Sequence, residues 1–240
     1  MKNFFRRLDD HLHQVNRTGW ESIWKPALGF ILMMAILLPA AGRWNYTGAW
    51  LYLLQMVLYS LIYTALMILF NPELLNRRGH FIREGTKSFD FRFFLTWRVS
   101  NVIMMLVAGL DVRFSWSYVS PGVMWAGFFV SLALTLLVIW PMLVNRHFES
   151  TVRIQSDRNH RVIDKGPYRL IRHPGYAFAA PGFMLTALML QSLWALIPGA
   201  VGLAAFVWRT AKEDHVLQNE LEGYREYAKR VRWKLVPGLW

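Results

Sequence analysis

The stretch GAWLYLLQMVLYSLIYTALMILF, residues 48–70, carries no charged side chain. A helix over this stretch is about 35 Å long at about 1.5 Å per residue, whereas a hydrocarbon core is about 30 Å thick. The composition agrees with a membrane location, because 55% of the 240 residues are hydrophobic and only 18% are charged. The sequence therefore predicts an integral membrane protein and not a soluble globular one.

Apolar runs separated by charged clusters predict about six transmembrane helices. The predicted spans are residues 26–42, 48–70, 93–110, 122–144, 176–191 and 193–208. The last two contain about 16 residues each, which is short for a full crossing, so we expect a helical hairpin that turns at Gln191 and Ser192. The predicted fold class is all-α and polytopic, with cytosolic helices at the carboxyl terminus.

The 27 lysine and arginine residues outnumber the 15 acidic residues and give a formal net charge of +12. All but three of them lie before residue 26, within 71–92, within 145–175 or after residue 208. The positive-inside rule then places both termini in the cytoplasm, and we expect a bacterial inner membrane. Because topology explains the basic charge, no nucleic-acid partner is predicted.

The chain contains no cysteine, which excludes disulfides, thiolate catalysis and cysteine-ligated metals. Four histidines fall on the predicted inner side but lack a repeated ligand spacing, so no metal site is predicted. They are His147, His160, His173 and His215. The sequence also lacks the glycine-rich motifs of soluble nucleotide-binding folds and the hydrolase nucleophile elbow.

Two regions follow from this pattern. Residues 1–144 contain a predicted interfacial amphipathic helix and four spans, and residues 145–240 form the predicted catalytic region. The amphipathic helix is expected over residues 1–15, where apolar side chains recur at helical spacing opposite charged ones. Its expected role is anchorage at the membrane surface, and control of lipid access is the alternative.

The acidic residues indicate where chemistry can occur, because all of them except Asp111 lie on the predicted inner side. The first candidate is NPELLNRRG, residues 71–79, in which Asn71 ends one helix and Pro72 begins the next. Its charged side chains either contact lipid phosphates or recognise a substrate headgroup. They are Glu73, Arg77 and Arg78.

The second candidate is GPYRLIRHPGY, residues 166–176, which lies beside an apolar run. Pro174 disfavours helical dihedrals at His173 and is suited to the first position of a new helix. With Arg169 and Arg172 nearby, the segment can hold a carboxylate or phosphate group of a ligand. The alternative is that these basic residues contact only lipid phosphates.

The third candidate continues from the last span without a break and begins RTAKEDH at Arg209. Glu213 follows Arg209 by four residues, so the two are expected to pair on one helix face while Asp214 points elsewhere. Such a pair is either an ordinary solvated ion pair or part of a site. Gly223 is expected to end this helix, and a second short helix is expected to pack on it.

The carboxyl-terminal motifs together match one group of membrane enzymes. The matching segments are Gly166-Pro167-Tyr168, Arg172-His173-Pro174-Gly175-Tyr176, Arg209, Glu213-Asp214, Gly223-Tyr224 and Leu235-Val236-Pro237-Gly238. Over roughly its last third the chain resembles the isoprenylcysteine carboxyl methyltransferase and phospholipid methyltransferase superfamily, as a bacterial-type member. NPELLNRRG and residues 87–90 resemble the amino-terminal half of bacterial members less specifically.

The resemblance implies S-adenosylmethionine bound at the cytosolic face between the second and third candidate segments. The resemblance assigns eight residues to the cofactor site: Gly166, Tyr168, Arg172, His173, Pro174, Tyr176, Glu213 and Asp214. It assigns a catalytic role to Arg172, Arg209 and Glu213. The implied methyl acceptor is lipid-like or a small hydrophobic molecule, either a prenylcysteine-type carboxylate or an aminophospholipid.

Two other functions stay open at this point. A sterol-type membrane reductase shares a related carboxyl-terminal architecture but uses NADPH, so the identity of the cofactor separates it from a methyltransferase. A transporter or a scaffold that binds anionic lipid is the non-enzymatic alternative. It is less favoured, because a transport path ordinarily needs more polar groups at mid-membrane than the predicted spans contain.

Overall fold

The computed structural model describes residues 11–79 and 84–240, and within these ranges the regular secondary structure is helical without any β-strand. The α-helices whose two ends both lie in these ranges are α1 Arg17–Ala41, α2 Thr47–Phe70, α3 Pro72–Arg78, α4 Phe89–Phe114, α5 Pro121–Leu137, α6 Ile139–Val144, α7 Pro174–Ala179, α8 Gly182–Met189, α9 Leu196–Glu220 and α10 Tyr224–Arg230. Short 3-10 turns cover Ser156–Arg158 and Gly166–Arg169.

Four helical segments are long and apolar enough to cross a membrane: α1, α2, α4 and the combined Pro121–Val144 segment of α5 and α6. They coincide with the first four predicted spans, and an all-helical membrane architecture is thereby confirmed. The count of six spans is not confirmed, because no other helix in the described part of the chain combines this length and hydropathy.

The predicted fifth span is divided into two short helices. Helix α7 ends at Ala179 and α8 begins at Gly182, with Pro181 between them. Proline has no amide hydrogen, so it cannot continue the hydrogen-bond ladder of α7. The predicted sixth span lies in α9, a 25-residue helix that joins an apolar first half to a polar second half.

Within the described residues the long apolar helices pack around two apolar clusters, and a third cluster joins α10 to the polar half of α9. The larger lies among α1, α2, α4, α5 and α8, and several of its side chains are completely buried: Leu37, Ala49, Met105, Ala108, Ala187, Met189 and Leu190. The smaller cluster holds α3 against α2 and α6, with Leu74 and Leu75 completely buried. Helix α3 is therefore part of the core and not a solvated surface turn.

The amino-terminal segment contributes to the smaller cluster through Leu12 and Val15. The rest of the predicted amphipathic helix, residues 1–10, lies outside the described residues, so its position at the membrane surface stays a prediction.

Buried polar side chains are paired across the bundle. Ser131 of α5 donates to Gln55 of α2 at 2.7 Å. Asp111, completely buried in α4, accepts hydrogen bonds from the hydroxyls of Ser117 at 2.6 Å and Ser192 at 2.5 Å. Because an unpaired polar group in an apolar interior costs several kcal/mol, these bonds fix α2 to α5 and the end of α4 to the turn before α9.

Helices α1 and α4 approach each other closely at Gly109. A Cβ atom placed on Gly109 would lie 2.6 Å from the Cβ of Ala40 and 2.7 Å from the carbonyl oxygen of Leu37. Small residues at such positions allow membrane helices to pack backbone against backbone. In contrast, no heavy atom lies within 4 Å of the corresponding position at Gly29 of α1.

We expect Gly109→Ala to lower the thermal unfolding temperature of the protein in detergent, because the added methyl group forces α1 and α4 apart and such overpacking costs about 1–3 kcal/mol. Gly29→Ala is the matched control and should keep or raise that temperature, since alanine is favoured over glycine in a helix by about 1 kcal/mol. Equal unfolding temperatures for the two variants would contradict the close approach.

Candidate functional site

The predicted local geometry of the GPYRLIRHPGY segment is confirmed. His173 has φ −124° and ψ 62°, outside the helical region, and α7 begins at Pro174. Gly166 adopts a positive φ of 56° at the start of the preceding 3-10 turn, which favours glycine at this position. A Cβ on Gly175 would lie 2.5 Å from the ring of Phe148, so the absence of a side chain there allows the ring to pack on the backbone.

The segment and the polar half of α9 converge on one cavity that is partly open to solvent. The third wall is the irregular loop of residues 145–163 that precedes the motif. The predicted site residues that line the cavity are Tyr168, Arg172, His173, Pro174, Tyr176, Arg209 and Glu213. Gly166 and Asp214 are not among the lining residues.

Asp214 is buried and does not line the cavity. Neighbouring side chains donate hydrogen bonds to both oxygens of its carboxylate. Arg172 donates to both oxygens, from Nε at 2.7 Å and from Nη2 at 3.0 Å. Tyr224 donates at 3.1 Å, Gln218 at 2.7 Å, and His173 Nε2 lies 3.2 Å away. Burial by itself raises the pKa of Asp214, but the hydrogen bonds from His173 and Arg172 outweigh it and hold that pKa well below its usual range.

Arg172 also fastens the end of the chain to the motif. Its Nη1 donates to the carbonyl oxygens of Val231 and Arg232, both at 2.9 Å. The main-chain amides of Arg172 and His173 donate to the carbonyl oxygens of Trp233 and Lys234 at 2.9 Å and 3.0 Å. Four of the five guanidinium N–H groups are thus engaged by the protein itself, and the ion pair with Asp214 holds three chain segments together.

Glu213 has the opposite surroundings to its neighbour Asp214. It lines the cavity, and its side chain keeps 21% of its accessible surface. The hydroxyl of Tyr176 donates to Oε2 at 2.6 Å, and Nδ1 of His173 lies 4.0 Å from Oε1. The rings of His173 and Tyr176 stack at a centroid distance of 6.0 Å. Successive helix positions point about 100° apart, so one carboxylate faces the cavity and the other faces the protein interior.

The predicted pairing of Arg209 with Glu213 is wrong. Arg209 lies 2.9 Å from the carboxylate of Asp90 in α4, and its Nη2 donates to the carbonyl oxygen of Ser150 at 2.7 Å. Three aromatic rings also face the guanidinium group, at centroid distances of 4.4 Å, 5.0 Å and 5.3 Å. They are Phe93, Phe94 and Tyr176. Because the guanidinium group is held by α4, Glu213 is left facing the cavity.

Two cavity residues, which the sequence suggested only as candidate metal ligands, lie against each other with their rings tilted by 35°. The rings of His147 and His160 lie 4.5 Å apart. Nδ1 of His147 donates to the Gln155 side-chain oxygen at 3.2 Å, and the main-chain amide of Gln155 donates to Nδ1 of His160 at 3.3 Å. A neutral His160 ring therefore carries its proton on Nε2.

Both histidines are neutral near pH 7. Burial lowers the pKa of His160 to about 4, and His147 and the positive charges of Arg153 and Arg158 add to this effect. Burial is also the main reason that the pKa of His147 is lowered. Within the described residues no group of three or more acidic, histidine or cysteine side chains is arranged as a metal site. The pair is therefore a source of neutral hydrogen-bonding groups.

The sequence of this chain is similar to one family of methyltransferases. Residues 125–219 match the model of the "Isoprenylcysteine carboxyl methyltransferase (ICMT) family". Protein-S-isoprenylcysteine O-methyltransferase B of Arabidopsis thaliana is 26% identical over 124 residues, covering 46% of this chain and 61% of the relative. A probable protein-S-isoprenylcysteine O-methyltransferase of Oryza sativa subsp. indica is 32% identical over 92 residues, covering 36% and 46%. The chain thus spans less than two thirds of the length of these relatives. The predicted resemblance to the isoprenylcysteine carboxyl methyltransferase family is confirmed.

We expect Asp214→Asn to destabilise the folded protein by about 3 kcal/mol or more, because the guanidinium of Arg172 would remain buried without its counter-charge. Glu213→Gln is the matched control one position away and should change the free energy of unfolding by less than about 1 kcal/mol, since Glu213 is partly exposed. Chemical unfolding in detergent measures both changes. Equal losses for the two variants would contradict the division between the carboxylates.

Stability should also fall as the pH is lowered from about 6.5 to about 4. The unfolded chain binds a proton at His160 near the ordinary pKa of 6.5, whereas the folded protein binds it only near pH 4, so acid favours unfolding across this window. His160→Gln should make the decrease in thermal unfolding temperature across this pH range shallower, although His147 still contributes. Identical pH profiles for the variant and the wild type would exclude this role of His160.

Proposed function

We propose that this chain, whose residues 125–219 match the isoprenylcysteine carboxyl methyltransferase family, is a membrane methyltransferase that uses S-adenosylmethionine and methylates a lipid-like carboxylate. The observation that carries the proposal is the convergence of the arginine-histidine-proline segment and the Glu213 face of α9 on one cavity. The two segments are far apart in the sequence, and each supplies polar groups that the other lacks.

The chemistry of the cavity fits the proposed methyl donor. S-adenosylmethionine offers an ammonium group, a carboxylate, ribose hydroxyls, a sulfonium and an adenine ring. Glu213 is an accessible carboxylate that can accept hydrogen bonds from the ammonium group, and Arg161, exposed on the cavity wall, can attract the carboxylate.

The far side of the cavity suits the adenine ring. Leu217, Leu221 and Val162 pack there in an apolar cluster and also line the cavity. His160 also lines the cavity and, when neutral and protonated on Nε2, offers a hydrogen-bond donor. A planar heterocycle with acceptor nitrogens needs this combination of apolar walls and one directed donor.

In this proposal the bound donor supplies a methyl group on a cationic sulfur atom. The residues of the chain then contribute binding, orientation and exclusion of water, and no nucleophilic side chain is required. The stacked His173 and Tyr176 rings and the bond from Tyr176 to Glu213 fix the wall against which the reactants are oriented. We assign Glu213 to ligand binding, and Arg172 and Asp214 to holding this wall in place.

The proposed acceptor is a prenylcysteine-type carboxylate, because the relatives named above are protein-S-isoprenylcysteine O-methyltransferases. A carboxylate is already deprotonated near pH 7 and needs no general base. An anionic acceptor and a cationic donor lose opposite charges together in the transition state, so a site with little water favours the reaction. An aminophospholipid would instead require a base to remove the ammonium proton.

The proposed location is the cytoplasmic face of a bacterial inner membrane, with both termini in the cytoplasm. The division between residues 1–144, which hold the amphipathic segment and four spans, and residues 145–240, which hold most of the cavity, belongs to the same proposal. It is supported by the distribution of lysine and arginine and by the four long apolar helices.

We expect S-adenosylmethionine and its product S-adenosylhomocysteine to raise the thermal unfolding temperature of the purified protein, and NADPH to leave it unchanged. A ligand at a concentration of 100 times its Kd stabilises the folded state by about 2.7 kcal/mol. Glu213→Gln should keep the unfolding temperature of the ligand-free protein and weaken S-adenosylhomocysteine binding about tenfold, because one charge-assisted hydrogen bond is lost.

Isothermal titration calorimetry of the wild type, Glu213→Gln and the exposed-surface variant Arg230→Gln separates the possible results. Arg230 lies on α10 with 67% of its side chain exposed, so its variant should bind like the wild type. Stabilisation by NADPH and not by S-adenosylhomocysteine would establish a reductase instead, and wild-type affinity of Glu213→Gln would overturn the assignment of this residue.

A further inference from the structure

The loop that forms one wall of the cavity has no regular secondary structure to hold it. Between α6 and the 3-10 turn at Ser156–Arg158, residues 145–155 contain only turns, bends and coil. Several of these residues line the cavity, including His147, Phe148 and Val152. Hydrogen bonds within the loop, such as that from Gln155 Nε2 to the carbonyl oxygen of His147 at 2.7 Å, stabilise its shape, and contacts from outside the loop fix its position against the helices.

Helix α3 supplies such contacts from the amino-terminal half of the chain. Nη1 of Arg78 donates to the carbonyl oxygen of Phe148 at 3.2 Å, and the guanidinium carbon lies 5.7 Å from the centre of the Phe148 ring. In the 3-10 turn that follows the loop, Arg158 pairs with Glu73 at 2.9 Å. The charged residues of NPELLNRRG thus contact the cavity loop, which neither of the roles predicted from the sequence included.

The start of α4 holds the same loop from a second side. The amide of Lys87 donates to the carbonyl oxygen of Val152 at 3.0 Å, and the amide of Val152 donates to the carboxylate of Asp90 at 2.5 Å. Asp90 is also the ion-pair partner of Arg209. Helix α3 and the start of α4 therefore hold the loop by hydrogen bonds, the first at Phe148 and the second at Val152.

Helix α3 is itself rigidly placed. The side chain of Asn71 caps it by accepting from the amide of Leu74 at 3.2 Å, and Leu74 and Leu75 are completely buried. Asn76 bonds to the amino-terminal segment, donating to the carbonyl oxygen of Gln14 at 2.8 Å and accepting from the amide of Asn16 at 3.0 Å. A helix anchored on two sides can fix the position of a loop that it touches.

Phe148 connects the loop to the GPYRLIRHPGY segment. Its ring packs against the backbone at Gly175, next to Pro174, and it lines the cavity. Arg78 is not among the lining residues. Any influence of Arg78 on a ligand must therefore act through Phe148 and the loop.

We propose that Arg78 is a positioning residue for the methyl-donor cavity and that α3 acts through its contact with Phe148 to hold the cavity wall. This inference rests on the proposed function for its ligand, but not for the contact itself. It gives the amino-terminal half, which lies outside the matched residues 125–219, a role in shaping the site.

The experiment compares Arg78→Gln, Arg78→Lys, Phe148→Leu and the double variant Arg78→Gln/Phe148→Leu in detergent. Arg230→Gln is the control for removal of an arginine from the surface. Two quantities are measured: the Kd of S-adenosylhomocysteine by calorimetry, and hydrogen exchange of peptides covering residues 145–155 in the ligand-free protein.

Arg78→Gln should accelerate exchange in residues 145–155 without changing exchange in α1 and α2, and should raise the Kd about fivefold or more. Arg78→Lys should behave nearly as the wild type, because lysine keeps a donor and a positive charge beside the ring. In the Phe148→Leu background, Arg78→Gln should cause a smaller loss of affinity than in the wild type, since the ring contact is already absent and only the hydrogen bond to the main-chain carbonyl oxygen at position 148 is left to remove.

Unchanged exchange in residues 145–155 of Arg78→Gln, or fully additive losses of affinity in the double variant, would overturn the proposal. Accelerated exchange across all helices would also overturn it, because Arg78 would then serve global stability. If the wild type does not bind S-adenosylhomocysteine, the proposed function fails, and the exchange data still decide whether α3 holds the loop.

Discussion

The ion pair between Arg172 and Asp214 is the constraint on which the rest of the site depends. It joins the segment before α7, the polar half of α9 and the irregular carboxyl-terminal segment at residues 231–234. Both side chains are almost completely buried, and nearly all of their hydrogen-bonding groups are engaged. Such a pair is costly to bury, but once it is complete it allows very few alternative arrangements of the three segments.

This constraint explains why two adjacent carboxylates have different properties. Asp214 takes up the charge of Arg172, so the helix is held in one rotation about its axis. Glu213 then faces the cavity, where Tyr176 is the one side chain of residues 11–79 and 84–240 that donates a short hydrogen bond to it. The second charged pair, Arg209 with Asp90, removes the other nearby cation from competition for Glu213. The site thus keeps one accessible carboxylate next to two pairs of compensated charges.

The position of the cavity follows from the construction of α9. Its first half is apolar and packs with α8 in the bundle, while its second half carries Arg209, Glu213 and Asp214. A cavity that begins at the junction of these halves has apolar material on one side and charged groups on the other. Such a boundary suits the proposed lipid-like acceptor and polar donor, because each is poorly solvated in the environment of the other.

The sequence alone determined the membrane class, the first four spans, the start of α3 at Pro72 and the non-helical backbone of His173 before Pro174. These features depend on local composition and on the steric properties of proline, which act within a few residues. The motif pattern also predicted that the segments at residues 166–176 and 209–214 lie close together, and both contribute to the lining of one cavity. Tertiary structure alone decided the rest: that Asp90 and not Glu213 pairs with Arg209, that Asp214 is buried against Arg172, and that the rings of His147 and His160 contact each other. Each of these depends on which side chains meet across distant helices and loops, and helical periodicity contains no information about such partners.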